Sequence, residues 1–283
     1  MKVGIVVNGY YTAEAYARQV GRLGEELALR GAEAVVYRND RGTSLFEEYP
    51  FDRAFFLDKD IVLARMMEKK GVRLVNSADA IEKADDKGRT YVELSGAVEQ
   101  QETVVRPKRY FYKRDEIFLN KTAERLGFPL VAKESCGSLG EQVFLINDVE
   151  ELYKADEKFA LKNALYQKFR AESKGRSLRV LCVGGKAIGG IELENLNDFR
   201  SNAAEGGSGR KATLKKEFVE AAEKAAAVLG AEYCGVDLFC DSPVVIEVNT
   251  NAFFEEFERV TGINVAAECV EYILNIKGRR VDG

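Results

Sequence analysis

Two carboxylates and a carboxamide in one short stretch carry the clearest chemistry of this chain. Gly235–Asn249 reads Gly-Val-Asp-Leu-Phe-Cys-Asp-Ser-Pro-Val-Val-Ile-Glu-Val-Asn. The apolar runs Val236–Phe239 and Val244–Val248 flank Asp-Ser-Pro, the pattern of two antiparallel strands joined by a tight turn. Side chains alternate faces along a strand, so Glu247 and Asn249 point the same way, and direct opposition brings Asp237 within roughly 5 Å of Glu247 at Cβ. Carboxylates this close in apolar strands repel and lose hydration unless a cation lies between them. Oxygen-only donors suit Mg²⁺ or Mn²⁺, and Mg²⁺ usually takes few carboxylates together with substrate phosphates. The patch therefore asks for a nucleotide; the alternative is a polar, solvated sheet edge.

Two glycine-bearing segments offer anion chemistry. Leu130–Lys133 reads as a strand, Glu134-Ser-Cys-Gly-Ser-Leu-Gly140 as a loop and Gln142–Ile146 as a returning strand. Glycine lets backbone approach a ligand closely, and successive N–H groups in such a turn form an anion nest. This is not a Walker A loop, because the lysine precedes the glycines and no helix follows them. A plain hairpin with a flexible tip is the other reading. Asn197–Asn202 followed by Glu205–Lys211 is polar with basic ends; it reads as an exposed loop, or as arginines and a lysine that offset charge growing on a phosphoryl or acyl oxygen.

Composition narrows the chemistry. The chain has no histidine, which removes Ser-His and Cys-His dyads and every histidine-bearing zinc site. Five cysteines, widely spaced and without a C-x-x-C, fit reduced, packed thiols rather than a disulfide frame. No apolar run approaches the ~20 residues of a membrane span, and Met1–Val7 runs straight into a strand, so no signal peptide is expected and the cytoplasm is the default location. A net charge of −4 argues against nucleic acid as the main partner. At 283 residues the chain has room for two or three lobes with real cores.

The elements that must position these residues follow in order. Lys2–Val7, Ala34–Tyr37, Ala54–Leu57 and Arg73–Val75 read as strands, alternating with helices at Thr12–Arg30 and Ile61–Lys70, each stopped by a glycine. That alternation describes a small βαβ domain with a parallel sheet. The dinucleotide fingerprint is missing after the first strand, so a Rossmann cofactor is not expected. Asn76-Ser77 opens one helix expected to run through Ala84-Asp85-Asp86-Lys87 to near Gly96, and Val98–Arg114 reads as a linker. Helices follow at Ile117–Leu126, around Glu150–Tyr153 and at Lys215–Leu229, with strands at Ala164–Phe169, Leu178–Val183 and Lys186–Ile191. A last helix, Val265–Ile276, is expected on the outside of the final lobe.

From about Asn76 onward these residues resemble the ATP-grasp superfamily and, within it, the RimK-type carboxylate–amine ligases. The resemblance is carried, in order, by Asn76-Ser77 with Asp86-Lys87, Pro129–Glu134 with Gly137-Ser138-x-Gly140, Asp198-Phe-Arg-Ser-Asn202 with Gly206-Gly207, Gly235-Val-Asp237, Glu247-Val-Asn249 and Thr261-Gly-Ile. It implies an α/β chain in which a Rossmann-like pre-ATP-grasp domain (1–86) precedes a two-lobed ATP-grasp fold, with a small lobe (87–168) carrying the glycine loop and a C-terminal lobe (169–283) carrying the metal site. It also implies ATP held between the lobes, with Lys87 and Lys133 on the phosphates and Glu134, Ser135, Gly137, Ser138 and Gly140 closing over them. Gln167, Lys168, Phe169 and Arg170 match the strand that holds adenine, chiefly through backbone groups. Arg179, Arg200 and Asn202 complete the nucleotide contacts, with Arg200 and Lys133 as catalytic cations, and Asp237, Glu247 and Asn249 match the ligands of two Mg²⁺ or Mn²⁺ ions.

The implied reaction joins a small-molecule or peptide carboxylate to an amine or amino acid through an acylphosphate, releasing ADP and phosphate. No nucleic acid or membrane enters it, and self-association into a homo-oligomer is compatible with it. Two departures from the family pattern stand out. Ser177 replaces an aspartate, and Thr250-Asn-Ala-Phe-Phe254 replaces a small-residue, Pro, Gly turn, with its two phenylalanines read either as part of an acceptor pocket or as core. They motivate a second reading, an ATP-binding regulatory module with reduced turnover; a third is an ATP-grasp phosphotransferase.

Overall fold

The computed structural model describes residues 1–41, 48–137, 142–201 and 208–276, arranged around three sheets that follow one another along the chain. In the first sheet, β1 (Lys2–Val7) leads through α1 (Glu14–Leu29) to β2 (Glu33–Arg38), and β3 (Arg53–Leu57) leads through α2 (Ile61–Lys69) to β4 (Arg73–Val75). The four strands are parallel in the order β2-β1-β3-β4. Near-continuous apolar runs such as Val3, Ile5 and Val6, each 0% exposed, make β1 a central strand covered on both faces.

The single helix expected after Asn76 is two. α3 (Ala78–Asp85) ends where Asp86 takes an extended ψ of 105°, and α4 (Lys87–Leu94) begins there, with the Asp86 carboxylate accepting from the N–H groups of Gly88 and Arg89. Asp86 is thus an N-cap, and Lys87 is the first residue of a new helix. The stretch read as a linker also holds β5 (Thr103–Val105). After α5 (Glu116–Leu126) come the hairpin strands β6 (Leu130–Glu134) and β7 (Val143–Ile146), α6 (Val149–Phe159), which is longer than expected, and β8 (Ala164–Lys168). These strands form an antiparallel sheet ordered β5-β8-β6-β7 with its own core, including Leu119, Leu130, Phe159 and Tyr166.

The third sheet is antiparallel in the order β11-β10-β9-β12-β13. It comprises β9 (Arg176–Val183), β10 (Lys186–Glu194), β11 (Ser208–Lys211), β12 (Tyr233–Leu238) and β13 (Val245–Asn249), with α7 (Lys216–Leu229) against one face. β11 forms an edge strand inside the stretch read as exposed loop. α8 (Glu255–Thr261) and α9 (Val265–Asn275) are the last elements among the described residues.

α9 does not lie outside the lobe. Val265, Ala266, Val270 and Ile273 are 0% exposed and join Leu23 and Leu27 of α1, Leu181 of β9 and Phe254 in one continuous core. The first sheet with its helix α1 and the third sheet are therefore packed together through α9. Asn76 fastens the same junction: its carboxamide oxygen accepts from Glu232 and Tyr233 N–H at 2.7 and 2.9 Å, and its nitrogen donates to Tyr233 and Thr250 carbonyls at 2.7 and 2.9 Å. Among the described residues no helix is long and apolar enough to cross a membrane.

With its four bonds made at 1% exposure, Asn76 leaves four buried backbone groups unpaired if truncated. Asn76→Ala should lower the unfolding free energy by about 3 kcal/mol, read as a shifted urea midpoint at unchanged m. A loss below about 0.5 kcal/mol would show that water replaces the side chain.

Candidate active site

The site is built on the β12–β13 ladder. Asp237 lies directly opposite Glu247, and Gly235 opposite Asn249. Alternation sends Val236, Leu238 and Val248 into the core and leaves Asp237, Glu247 and Asn249 half-buried on the other face. The predicted hairpin, its register and its shared face are all present.

A third strand supplies the first counter-charge. Arg179 of β9 is in register with Asp237, and its Nε and Nη2 donate to Oδ1 and Oδ2 at 2.7 and 2.8 Å in a bidentate pair. Gly235 makes room for it, since a Cβ there would stand 3.3 Å from Arg179 Cδ and 3.0 Å from Ala252 Cβ. Burial works to lower the Arg179 value, but Asp237 outweighs it and holds the guanidinium above its ordinary range.

Glu247 is compensated differently. Its closest cation is Lys87 Nζ at 3.5 Å, and among the described residues it accepts no hydrogen bond at normal distance. Burial pushes its carboxyl up, while Lys87, Lys133, Lys59 and Arg179 together bring it below the usual carboxylate value. An ionised carboxylate in a buried setting with cations near but no hydrogen-bond donor is suited to accept a metal ion. Asn249 Oδ1 accepts from Asn251 N–H at 3.0 Å and retains a lone pair. No set of three His, Cys, Asp or Glu converges among the described residues; the donor set here is two carboxylates and one amide, all oxygen, which fits Mg²⁺ or Mn²⁺.

Lys87 and Lys133 arrive from the second sheet's side. Lys133, near the end of β6, lines a cleft with Lys87, Gln100, Gln167 and Glu247, and burial pushes its ammonium down to about 8, against the opposing pull of Glu247. Lys87 Nζ donates to Gly137 O at 2.7 Å, and Lys87 N–H to Ser135 O at 2.9 Å. Ser135 Oγ donates to Asp86 Oδ1 at 2.6 Å, so the base of the glycine loop is latched to the start of α4. A Cβ on Gly137 would meet Gln142 Oε1 at 2.8 Å. Ser138, Gly140 and Asn202, with Gly206 and Gly207, lie outside the described residues.

The side chains of the other expected residues make the following contacts. The Glu134 carboxylate pairs with Lys162 at 2.9 Å. Gln167 Nε2 donates to Thr103 Oγ1 at 2.9 Å, Lys168 N–H bonds to Glu102 O at 3.0 Å with the side chain exposed, and the Phe169 ring meets Phe199 edge-on. Arg170 reaches the tip of the β12–β13 hairpin, where it bonds Asp241 and Ser242 at 2.9 and 2.8 Å and lies 4.5 Å from the Phe239 ring. Arg200 folds back on Asp198, with Nε and Nη2 at 3.0 and 2.7 Å from its two oxygens. Ser177 Oγ lies 2.6 Å from Ser201 Oγ. Of the two departing phenylalanines, Phe254 is core at 1% exposure, while Phe253 stacks on Tyr11 of the first domain at 6.4 Å and 2°.

Lys59 was not singled out from the sequence. It sits where β3 enters α2, its ammonium pairs with Asp85, and it helps hold the Glu247 charge. The available signal was Asp58-Lys59-Asp60 at the C-terminal end of a parallel strand, where α/β sheets place ligands.

Comparison with known proteins agrees with this geometry. The RimK-like ATP-grasp domain matches residues 94–273. An uncharacterized protein of Mycoplasma genitalium is 32% identical over 231 residues, spanning 78% of this chain and 80% of its own. Human N-acetylaspartylglutamate synthase A is 32% identical over 238 residues, 80% of this chain but 58% of the synthase, so the chain spans little more than half of that relative. Among solved structures, a RimK domain ATP-grasp protein from Sphaerobacter thermophilus superposes with a TM-score of 0.74 over 97% of this chain and 100% of its own, at 21% identity, a likeness of fold. The chain belongs to the RimK-like ATP-grasp family, and with it to the ATP-grasp ligases.

Proposed function

We propose that this chain joins a carboxylate to an amine by way of an acylphosphate, consuming ATP and releasing ADP and phosphate. The observation that carries the reading is the convergence of Lys87, Lys133 and Arg179 on the face formed by Asp237, Glu247 and Asn249. Kinship with a protein named as N-acetylaspartylglutamate synthase A supports an acid and an amino acid as the substrate class. In this reading residues 1–86 form a pre-ATP-grasp domain, 87–168 the small lobe and 169–283 the C-terminal lobe, with ATP between the last two.

Asp237, Glu247 and Asn249 would hold Mg²⁺ or Mn²⁺, two ions in the full site, which offset negative charge on the phosphate oxygens when bound. Lys87 and Lys133 lie against the phosphates, and the loop Glu134–Gly140 closes over them, assisted by Arg200 and Asn202. Gln167–Arg170 present backbone to the adenine. A substrate carboxylate oxygen attacks the γ-phosphorus, the bond to the β,γ-bridging oxygen breaks, and ADP leaves. The amine nitrogen then attacks the acyl carbon, phosphate departs with the C–O electron pair, and it takes the proton the amine gives up. Neither step requires a histidine, because positioning and charge neutralisation carry phosphoryl transfer. Arg179 does double service, pairing with Asp237 and presenting positive charge beside the reacting groups.

The test is ADP and phosphate release with a panel of acids and amines, with product identity read by mass. A condensation product, a mass gain of the acid plus the amine less water, is expected with a productive pair. A stable phosphorylated acid would make the protein a phosphotransferase, and ATP binding with no turnover on any pair would make it a binding module. Lys133→Met should lower kcat/KM by about two to three decades, and an unchanged value would remove Lys133 from the chemistry. Chelation of divalent ions should stop turnover and Mg²⁺ or Mn²⁺ restore it. Glu247→Gln should raise the Mg²⁺ concentration needed for half-maximal rate while the unfolding transition stays intact; an unshifted Mg²⁺ dependence would remove Glu247 from the ion site.

A further inference from the structure

Away from the cleft, residues 106–114 read Arg-Pro-Lys-Arg-Tyr-Phe-Tyr-Lys-Arg: five cations, three aromatics and no carboxylate, on a chain of net charge −4. This strap between β5 and α5 is pinned. Arg106 Nη1 donates to Asp156 Oδ1 at 3.0 Å and Arg109 Nη1 to Asp156 Oδ2 at 2.7 Å, with Asp156 and the Arg106 side chain almost wholly buried. Tyr112 turns inward beneath Arg109. Arg114 lies 5.1 Å from the Tyr153 ring, and Asp115 caps α5 through Phe118 N–H at 3.0 Å.

A strap fixed at both ends still holds Tyr110 and Phe111 in water, 83% and 73% exposed, with Ile117, the second residue of α5, at 71%. Lys108 lies 5.7 Å from the Tyr110 ring, and no carboxylate lies within ion-pair distance of Lys108 or Lys113 among the described residues. Adjacent exposed aromatics rimmed by cations, on a fixed backbone, have the make-up of an interface centre.

We propose that Lys108, Tyr110, Phe111 and Lys113 form a docking surface for a short acidic segment of a partner polypeptide, one carrying at least one apolar side chain. The aromatics take the apolar group and the lysines its carboxylates. Charge complementarity selects this occupant. An extended polyanion, nucleic acid or an anionic bilayer, meets the acidic remainder of the chain as well, whereas a short segment feels chiefly the local field within a Debye length of ~8 Å. The strap leaves the sheet beside the glycine loop, since Arg106 N–H bonds Ala164 O and Ser135 N–H bonds the neighbouring Asn163 O, at 2.9 and 2.8 Å. The surface does not depend on the ligase reading.

The experiment is fluorescence anisotropy with the full chain and a labelled peptide of alternating Glu and Leu ending in Phe, set beside a matching Lys peptide, an oligo-dT and vesicles of phosphatidylcholine with phosphatidylserine. The Glu peptide should bind, weaken with added salt, and lose about tenfold in affinity with Tyr110→Ser/Phe111→Ser. Lys108→Glu/Lys113→Glu should lose it likewise and gain the Lys peptide, a reversal that misfolding cannot produce. No binding of the Glu peptide, equal binding by the variants, or tighter binding of oligo-dT or vesicles would overturn the proposal.

Discussion

Asp237 and Glu247 occupy opposed positions on an antiparallel ladder, and two like charges so placed repel by about 3 kcal/mol at 5 Å and an effective dielectric of about 20. The surrounding architecture answers that repulsion. Arg179 comes from the adjacent strand, Lys87 from the first turn of α4, Lys133 from the second sheet and Lys59 from the first domain. Because each cation belongs to a different part of the chain, the charge balance exists only when all three sheets are assembled. The repulsion stored on the ladder also makes the face receptive to a divalent ion, so one constraint serves folding and chemistry.

The distribution of cores follows the same division. The first and third sheets share one apolar cluster through α9 and are laced together by Asn76, which makes a continuous base beneath the carboxylates. The second sheet has a separate core and meets that base through Lys87, Ser135 and the segment around Gln100, which pairs with Val245. A sheet with its own core holds Lys133 without drawing on the packing beneath the carboxylate ladder.

Much of this was legible from residue types. Strand–helix alternation, glycine stops and the β-turn-β pattern carry the order of elements, and period-two alternation with direct opposition places Asp237, Glu247 and Asn249 on one face. The break at Asp86 was missed because Ala84-Asp85-Asp86-Lys87 holds no glycine or proline, and an aspartate that caps a new helix reads like one inside an old one. β5 and β11 escaped as short edge strands whose pairing is decided by neighbours far along the chain. The burial of α9 depends on α1 arriving from the other end of the sequence. Side-chain partners were least legible: the pairing of Glu134 with Lys162 and the reach of Lys59 toward Glu247 are properties of three-dimensional proximity that no local pattern encodes.

A crystal structure with a non-hydrolysable ATP analogue and Mn²⁺, read by anomalous scattering, locates the ions themselves. Mn²⁺ peaks are expected between the side chains of Asp237, Glu247 and Asn249, with the terminal phosphate against Lys133. Manganese bound elsewhere, or a triphosphate lying away from Lys87 and Lys133, would contradict that expectation.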